Sequence, residues 1–359
     1  MSAAAGSTQY VAAGALAGFG AALLRAAGLE AADAQTVAED LVAADLRGIA
    51  SHGVSRLPMY LGRLRKGLVK PRPEIAVTRV AGAVALVDGD DGMGFLAGHR
   101  AMDEAMALAA ASGIGLVGVR RSTHYGMAAL YPMQAVARGF IAIALTNSSP
   151  ALPPHGARTA FLGASPLAVG VPGDPPYVLD MAMTVIARGK IRLAAVKGEP
   201  IAEGLALDVD GAPTTDAARA FEGVCLPFGG AKGAALAMMM ELLAGVLTGA
   251  SFAGRVKSLY FDQSAPQNVG HLFIALRRDL FLPAEAFDAR MAEFTARTKA
   301  LPRAQGFTEI LIPGEPEARS DARHRRTGIP LGAEVLAELA QEAAAAGVPM
   351  PPLSPTPLG

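Results

Sequence analysis

The chain has 359 residues, 52% of them hydrophobic and only 18% charged, and its 32 basic side chains are balanced by 32 acidic ones. With no net field, the composition argues against nucleic acid and against an acidic membrane surface as partners. The length suits two domains better than one core, and the surplus of apolar side chains suggests a subunit interface.

A single cysteine, Cys225, excludes an internal disulfide framework and fits a reducing compartment, where it reads as a packed thiol. The N-terminus lacks the basic segment of a signal peptide. It reads as a frayed tail followed by an amphipathic helix with Leu16, Phe19, Leu23 and Leu24 on one face. No stretch reaches the uninterrupted apolar length of a membrane span, so a cytoplasmic protein is expected.

Residues 30–46 repeat the helical period through Val37, Leu41, Val42 and Leu46, and Gly48 breaks it. Ser51-His52-Gly53 then falls on a turn or at the start of a helix over 54–65 that Gly67 ends. Within DLRGIASHGVSRLPMY, residues 45–60, two arginines, a serine and a histidine stand close together. That grouping suits a small anionic carbonyl compound. His52 exchanges a proton with the oxygen, and Arg47 or Arg56 binds a carboxylate through paired N–H donors. The plain alternative is a helix end with solvated arginines.

Strands are expected over 75–80 and 83–87. DGDDGMGFLAGHR follows, with Gly92, Gly94 and Gly98, before a helix over 100–111. Its GxGxxxG spacing, and the lack of an acidic residue at the required distance, favour a polar turn over a Rossmann loop. A buried strand over 114–119 runs into RRSTHYG, where His124 emerges beside Ser122, Thr123 and Tyr125. A helix over 127–138 leads to a strand over 140–145 that ends in TNSSP.

Residues 153–172 alternate turns with short apolar runs and add His155 and Arg158 as polar candidates. Residues 178–183 read as a strand entering a helix over 184–196. The turn-rich excursion 197–216 covers or lines a site. In LPFGGAKGAALAMMMELLAGVL a glycine turn with Lys232 opens an apolar helix, which favours a phosphate; close helix packing is the alternative. A strand over 269–276, a helix over 285–300, a strand over 309–312 ending in PGEPEARS, and a helix over 331–345 complete the chain. The Pro-rich tail after residue 348 is expected to be loosely held.

RGIASHGVSRLPMY, RRSTHYGMAALY, TNSSPALPPHG, LGASPLAVGVP, DMAMTVIARGKI, EGLALDVDGAPTTD, LPFGGAKGAALAMMMELLAGVL and LIPGEPEA occur in this order. Together they resemble the malate/L-lactate dehydrogenase family of the second type, which also includes sulfolactate and ureidoglycolate dehydrogenases and cyclic-imine reductases. The resemblance implies a mixed α/β protein whose nicotinamide domain is largely antiparallel sheet and not a Rossmann fold. The catalytic part would take residues 1–118, completed by 290–359, and the cofactor domain 119–289. It further implies NAD or NADP as cofactor, a small anionic 2-hydroxy or 2-oxo acid as substrate, no metal, and a homodimer with the site near its interface.

Carried over by motif, His52 and His124 are the pair that moves the proton and places the substrate oxygen; the sequence does not decide which does which, and His52 is favoured as the proton carrier. Ser51 adjoins His52, and Arg47 would hold the substrate carboxylate. Ser148, Asp180, Met181, Ala182, Lys232, Gly233, Pro313, Gly314 and Glu315 match cofactor contacts. The chain departs from the family at Ser165, where an asparagine is usual, at Leu205, where a tryptophan is common, and at His155 and Arg158. Lys190 stands where imine-reducing relatives tend to be acidic, which favours a keto acid over an imine reductase. A non-catalytic binding protein of the same fold is the remaining alternative, against which the intact histidine motifs speak.

Overall fold

The apolar run Val269–Arg277 becomes the central strand of a seven-stranded sheet, antiparallel to Ile114–Ser122 on one side and Phe140–Thr146 on the other. Beyond Ile114–Ser122 lie Val84–Asp88 and Ala76–Ala81; beyond Phe140–Thr146 lie Leu167–Val171 and Tyr177–Met181. All neighbours are antiparallel except Val84–Asp88 and Ile114–Ser122, which run parallel and are joined by the helix Gly94–Ser112. A parallel pair needs such a crossover. The structure is a computed structural model that describes residues 8–358.

Helices Ala13–Ala26, Ala31–Leu46, Leu57–Arg65 and Gly94–Ser112 pack with one face of the sheet into the main core, which buries Leu16, Leu24, Leu41, Leu57, Phe95 and Phe273. Their approach is close: a Cβ on Gly115 would stand 2.0 Å from the carbonyl oxygen of Ala105. A smaller core of Leu145, Leu152, Leu162, Met183, Met240 and Leu272 lies under the helix Ala231–Met240. The excursion closes on itself around Ile191, Ile201, Ala206, Ala217, Ala220 and Cys225. The sheet joins strands from both sides of the expected division after residue 118, which falls inside Ile114–Ser122. No helix among the described residues is long and apolar enough to cross a membrane.

Several expectations shift. The first crossover helix begins at Gly94, six residues early, because its opening turn is apolar and buried. The helix expected over 127–138 contracts to Leu130–Val136, and that expected from residue 184 starts at Arg188. No strand forms over 309–312. PGEPEARS instead enters the helix Glu315–Thr327, whose polar sequence carries no apolar stripe. It is sustained by Pro316 at its start, by Glu315 and Glu317 in its first turn and basic residues in its last, and by an Asp321–Arg325 pair one turn apart.

The C-terminal tail is not loose. Tyr10 and Ser354 exchange backbone hydrogen bonds at 2.8 and 3.0 Å, and the Leu358 N–H donates to the Thr327 carbonyl at 2.9 Å. The frayed tail expected at the N-terminus falls largely on residues 1–7, outside the described residues.

Candidate functional site

The helix Ala31–Leu46 ends at Arg47, and Gly48 turns the chain at φ +80 into two short 3-10 turns, Ala50–His52 and Val54–Arg56. Asp45, 4% exposed, sits beneath them, and its Oδ2 accepts the Val54 N–H at 2.8 Å. A Cβ on Gly53 would stand 2.0 Å from Asp45 Oδ1, so glycine is the residue that fits over this carboxyl. Burial pushes the carboxyl up to about 7, against the pull of the Val54 N–H. From the unforeseen helix Glu315–Thr327, His324 brings its Nδ1 within 3.1 Å of the carbonyl oxygens of both Asp45 and Leu46.

His52 is presented on this turn with its Nδ1 3.0 Å from the Ser51 hydroxyl, while Arg56 Nε donates to the Ser51 carbonyl at 2.5 Å. His124, just past the strand Ile114–Ser122, stacks against it with ring centroids 5.6 Å apart and planes at 18°. The Nδ1 of His124 lies 2.6 Å from the hydroxyl of fully buried Tyr60 and accepts the Gly126 N–H at 3.3 Å. A backbone N–H only donates, so Nδ1 is an acceptor and the neutral ring carries its proton on Nε2. Ser51 is less restrictive, because a hydroxyl can donate or accept.

Burial, then the charge of Arg56, lowers His52 to about 4. His124 lies well below its ordinary value through burial, then through His52, Arg56 and His271. His271 is a structural residue: fully buried, it bridges Thr146 at 2.7 Å and Ser122 at 2.8 Å and stacks under Tyr125.

Both histidines face a cavity of about 770 Å³ that also takes in Arg47, Arg56, Tyr125, Asp180 and Glu317. The two arginines differ. Arg47 has Glu317, Asp321 and Asp180 as its charged neighbours, yet its buried Nε has no partner. Arg56 forms no ion pair among the described residues and lies over the ring of Tyr260 at 5.5 Å. Asp180 accepts the Ala129 N–H at 2.8 Å; burial raises it to about 6, while that N–H and Arg47 draw it down. The buried hydroxyl of Tyr125 is another polar atom on this wall with no partner.

His52, His124, Arg47 and Ser51 thus meet in one place. Ser148, Asp180, Ala182, Pro313 and Gly314 line the same cavity. Met181 turns into an adjoining depression with Lys190, and Glu315 pairs with Lys299 at 2.7 Å while accepting the Ile312 N–H. Lys232 is exposed and does not line the cavity, and Gly233 is buried where a Cβ would stand 1.9 Å from the Phe228 carbonyl oxygen. Tight packing therefore accounts for that glycine. His155 is exposed and Arg158 caps the Asp210 carbonyl; neither reaches the cavity. Ser165 sits at φ +38 with a fully buried, unpartnered hydroxyl, a backbone region that favours the asparagine usual in the family.

The sequence did not single out Tyr60, although it lies four residues after Arg56 on one helical face. Asp45 and His324 were also missed. They meet across 279 residues of chain, and no local pattern records that contact.

The model of the malate/L-lactate dehydrogenase family matches residues 11–340. L-sulfolactate dehydrogenase of Methanocaldococcus jannaschii is 39% identical over 304 residues, 84% of this chain and 88% of that protein. The solved structure of the sulfolactate dehydrogenase from that organism superposes with a TM-score of 0.90 at 36% identity, covering 95% of this chain and 98% of that one. A (2R)-3-sulfolactate dehydrogenase (NADP(+)) of Chromohalobacter salexigens is 38% identical over 86% of this chain and 89% of that protein. A ureidoglycolate dehydrogenase (NAD(+)) of Escherichia coli is 34% identical over 88% of this chain and 89% of that protein.

Proposed function

Because the chain belongs to the malate/L-lactate dehydrogenase family, we propose that it interconverts a small 2-hydroxy acid and the corresponding 2-oxo acid with NAD or NADP. The observation that carries this reading is the stacked pair His52 and His124 beside Arg56, a cation that forms no ion pair among the described residues. The cavity also suits a nicotinamide cofactor. The Tyr125 hydroxyl and the Arg47 Nε are buried donors on its wall with no hydrogen-bond partner among the described residues. Ser148, Asp180, Ala182, Pro313 and Gly314 would hold the cofactor, which supplies or accepts the hydride.

The remaining work falls to the protein. Arg56 is the better anchor for the substrate carboxylate, since Arg47 already faces three carboxylates. A guanidinium binds a carboxylate through paired donors. His52 moves the proton: Ser51 can accept from or donate to its Nδ1 and so tolerates both charge states. His124, kept neutral by burial and by the neighbouring His52, Arg56 and His271, accepts the Gly126 N–H at Nδ1 and so donates from Nε2 to orient the substrate oxygen. Burial and the charge of Arg56 hold His52 neutral, ready to act as base in oxidation. A substrate carboxylate on Arg56 offsets the charge that depresses His52 and so helps it carry the proton in reduction.

We propose a cytoplasmic homodimer in which residues 1–118 with 290–359 form the catalytic part and 119–289 most of the cofactor wall, with His124 on one side and Pro313 and Gly314 on the other crossing that division at the shared cavity. The test is a panel of 2-oxo acids and cyclic imines with NADH and NADPH, followed by nicotinamide absorbance. Turnover of an oxo acid supports the reading. Turnover of imines alone replaces it with imine reduction, and none at all refutes it.

A further inference from the structure

Three arginines line the cavity, and two already have roles, Arg56 beside the histidines and Arg47 against Asp180 and Glu317. The third, Arg188, opens the helix Arg188–Lys197 and lines the cavity together with Thr184 and Cys225, on the segments that flank the excursion rather than on the histidine turn. Its Nη2 donates to the Phe221 carbonyl at 2.8 Å, and its guanidinium lies 5.2 Å from that residue's ring centroid. These contacts orient the side chain and use one of its five N–H donors.

Lys190 lies two residues on, in a depression that adjoins the cavity through Ala182, Thr184 and Ala187. Neither cation forms an ion pair among the described residues. The only carboxylates on the cavity wall among the described residues are Asp180 and Glu317, and both act on Arg47. A site that selects NAD offers a carboxylate to the adenosine ribose hydroxyls, where it would repel a phosphate. A site that accepts the 2′-phosphate presents a guanidinium instead.

We propose that Arg188, with Lys190 beside it, receives the 2′-phosphate of the cofactor and makes this enzyme prefer NADP(H) over NAD(H). The inference rests on the dehydrogenase reading above, and direct binding tests it without a known substrate. The full chain is titrated with NADPH and with NADH, and nicotinamide fluorescence gives each Kd. NADPH binds at least about tenfold more tightly than NADH. Arg188→Gln weakens NADPH by about one to two decades, the loss expected for a charge-assisted phosphate contact, and leaves NADH within about twofold. Arg188→Lys recovers part of the loss, and 2′,5′-ADP displaces NADPH better than 5′-AMP does.

If NADH binds as tightly as NADPH, or Arg188→Gln weakens both alike in a folded protein, the inference fails and the dehydrogenase reading stands. If Arg188→Gln spares NADPH and raises the KM of a dicarboxylic oxo acid, the arginine serves the substrate and the inference fails. If neither nucleotide binds, the dehydrogenase reading fails and takes the inference with it.

Discussion

At the scale of single residues, the two histidines look alike in sequence and are separated by their Nδ1 partners. A hydroxyl adapts to either charge state, and a backbone N–H does not. His52→Ala should therefore lower kcat by about two to four decades with cofactor affinity intact, the usual contribution of acid–base catalysis. His124→Ala should lose more through substrate KM. Steady-state kinetics with direct cofactor titration separates the two, and near-native kcat in a folded His52→Ala enzyme would move the proton to His124. Reduction should fade as pH rises past the pKa of His52 in the ternary complex, and oxidation as pH falls below it. Arg56→Lys should raise substrate KM by about tenfold or more despite keeping the charge, because lysine lacks the paired donors. Arg47→Lys should change it less; the reverse order would restore Arg47 as the carboxylate anchor.

At the scale of elements, the catalytic turn owes its shape to a buried carboxyl and a glycine from adjacent pieces of backbone. Gly53→Ala places a methyl group where Asp45 Oδ1 now lies, and one of the two must move. Displacement of the His52 turn by about 1 Å should cost on the order of a hundredfold in kcat/KM with the far-ultraviolet circular dichroism unchanged. Full activity in that variant would show that the turn is not held from below. The helix Glu315–Thr327 supports the same turn through His324, so a polar segment without an apolar period has a structural task beside the site.

For the whole molecule, the face of Ala231–Met240 and the turns after it leaves Met238, Leu242, Val246 and Leu247 exposed, and Phe261 is 86% exposed. Apolar patches of this kind commonly mark interfaces. Leu242→Glu should shift the protein toward monomer in sedimentation velocity; a fully active wild-type monomer at assay concentration would rule out the proposed homodimer. Acid stability follows from the buried histidines. His52 is depressed to about 4 and His271 to about 3, from ordinary values of 6.5. A group whose folded pKa is depressed lends stability above its unfolded pKa and loses it as pH falls toward the folded one. Their contribution to Tm should accordingly decline once pH drops below about 6.5. Asp45, raised to about 7, acts in the opposite sense and withdraws stability as pH rises through that value. Because the two effects overlap, the histidine part is read by difference: Tm should fall less steeply between about pH 6.5 and 5 in His52→Ala than in the wild type, and identical slopes would contradict the burial of His52.

The order of the motifs determined the family, and periodicity determined the helices Ala13–Ala26 and Ala31–Leu46 and the strands Val269–Arg277 and Phe140–Thr146, whose apolar spacing is written locally. His52, Ser51, Arg47 and His124 were legible as chemistry for a similar reason, since short motifs carry them. What each does was not legible. Tyr60 reaches His124 across 64 residues of chain and His324 reaches Asp45 across 279, so the hydroxyl beside one histidine and the support beneath the other depend on contacts that no local window contains. Whether the charge of Arg56 is paired was hidden too, because it depends on which carboxylates the fold brings near and which it gives to Arg47. Only the tertiary structure decides that, by fixing distance and burial, and on those two quantities the strength of every charge in the site depends.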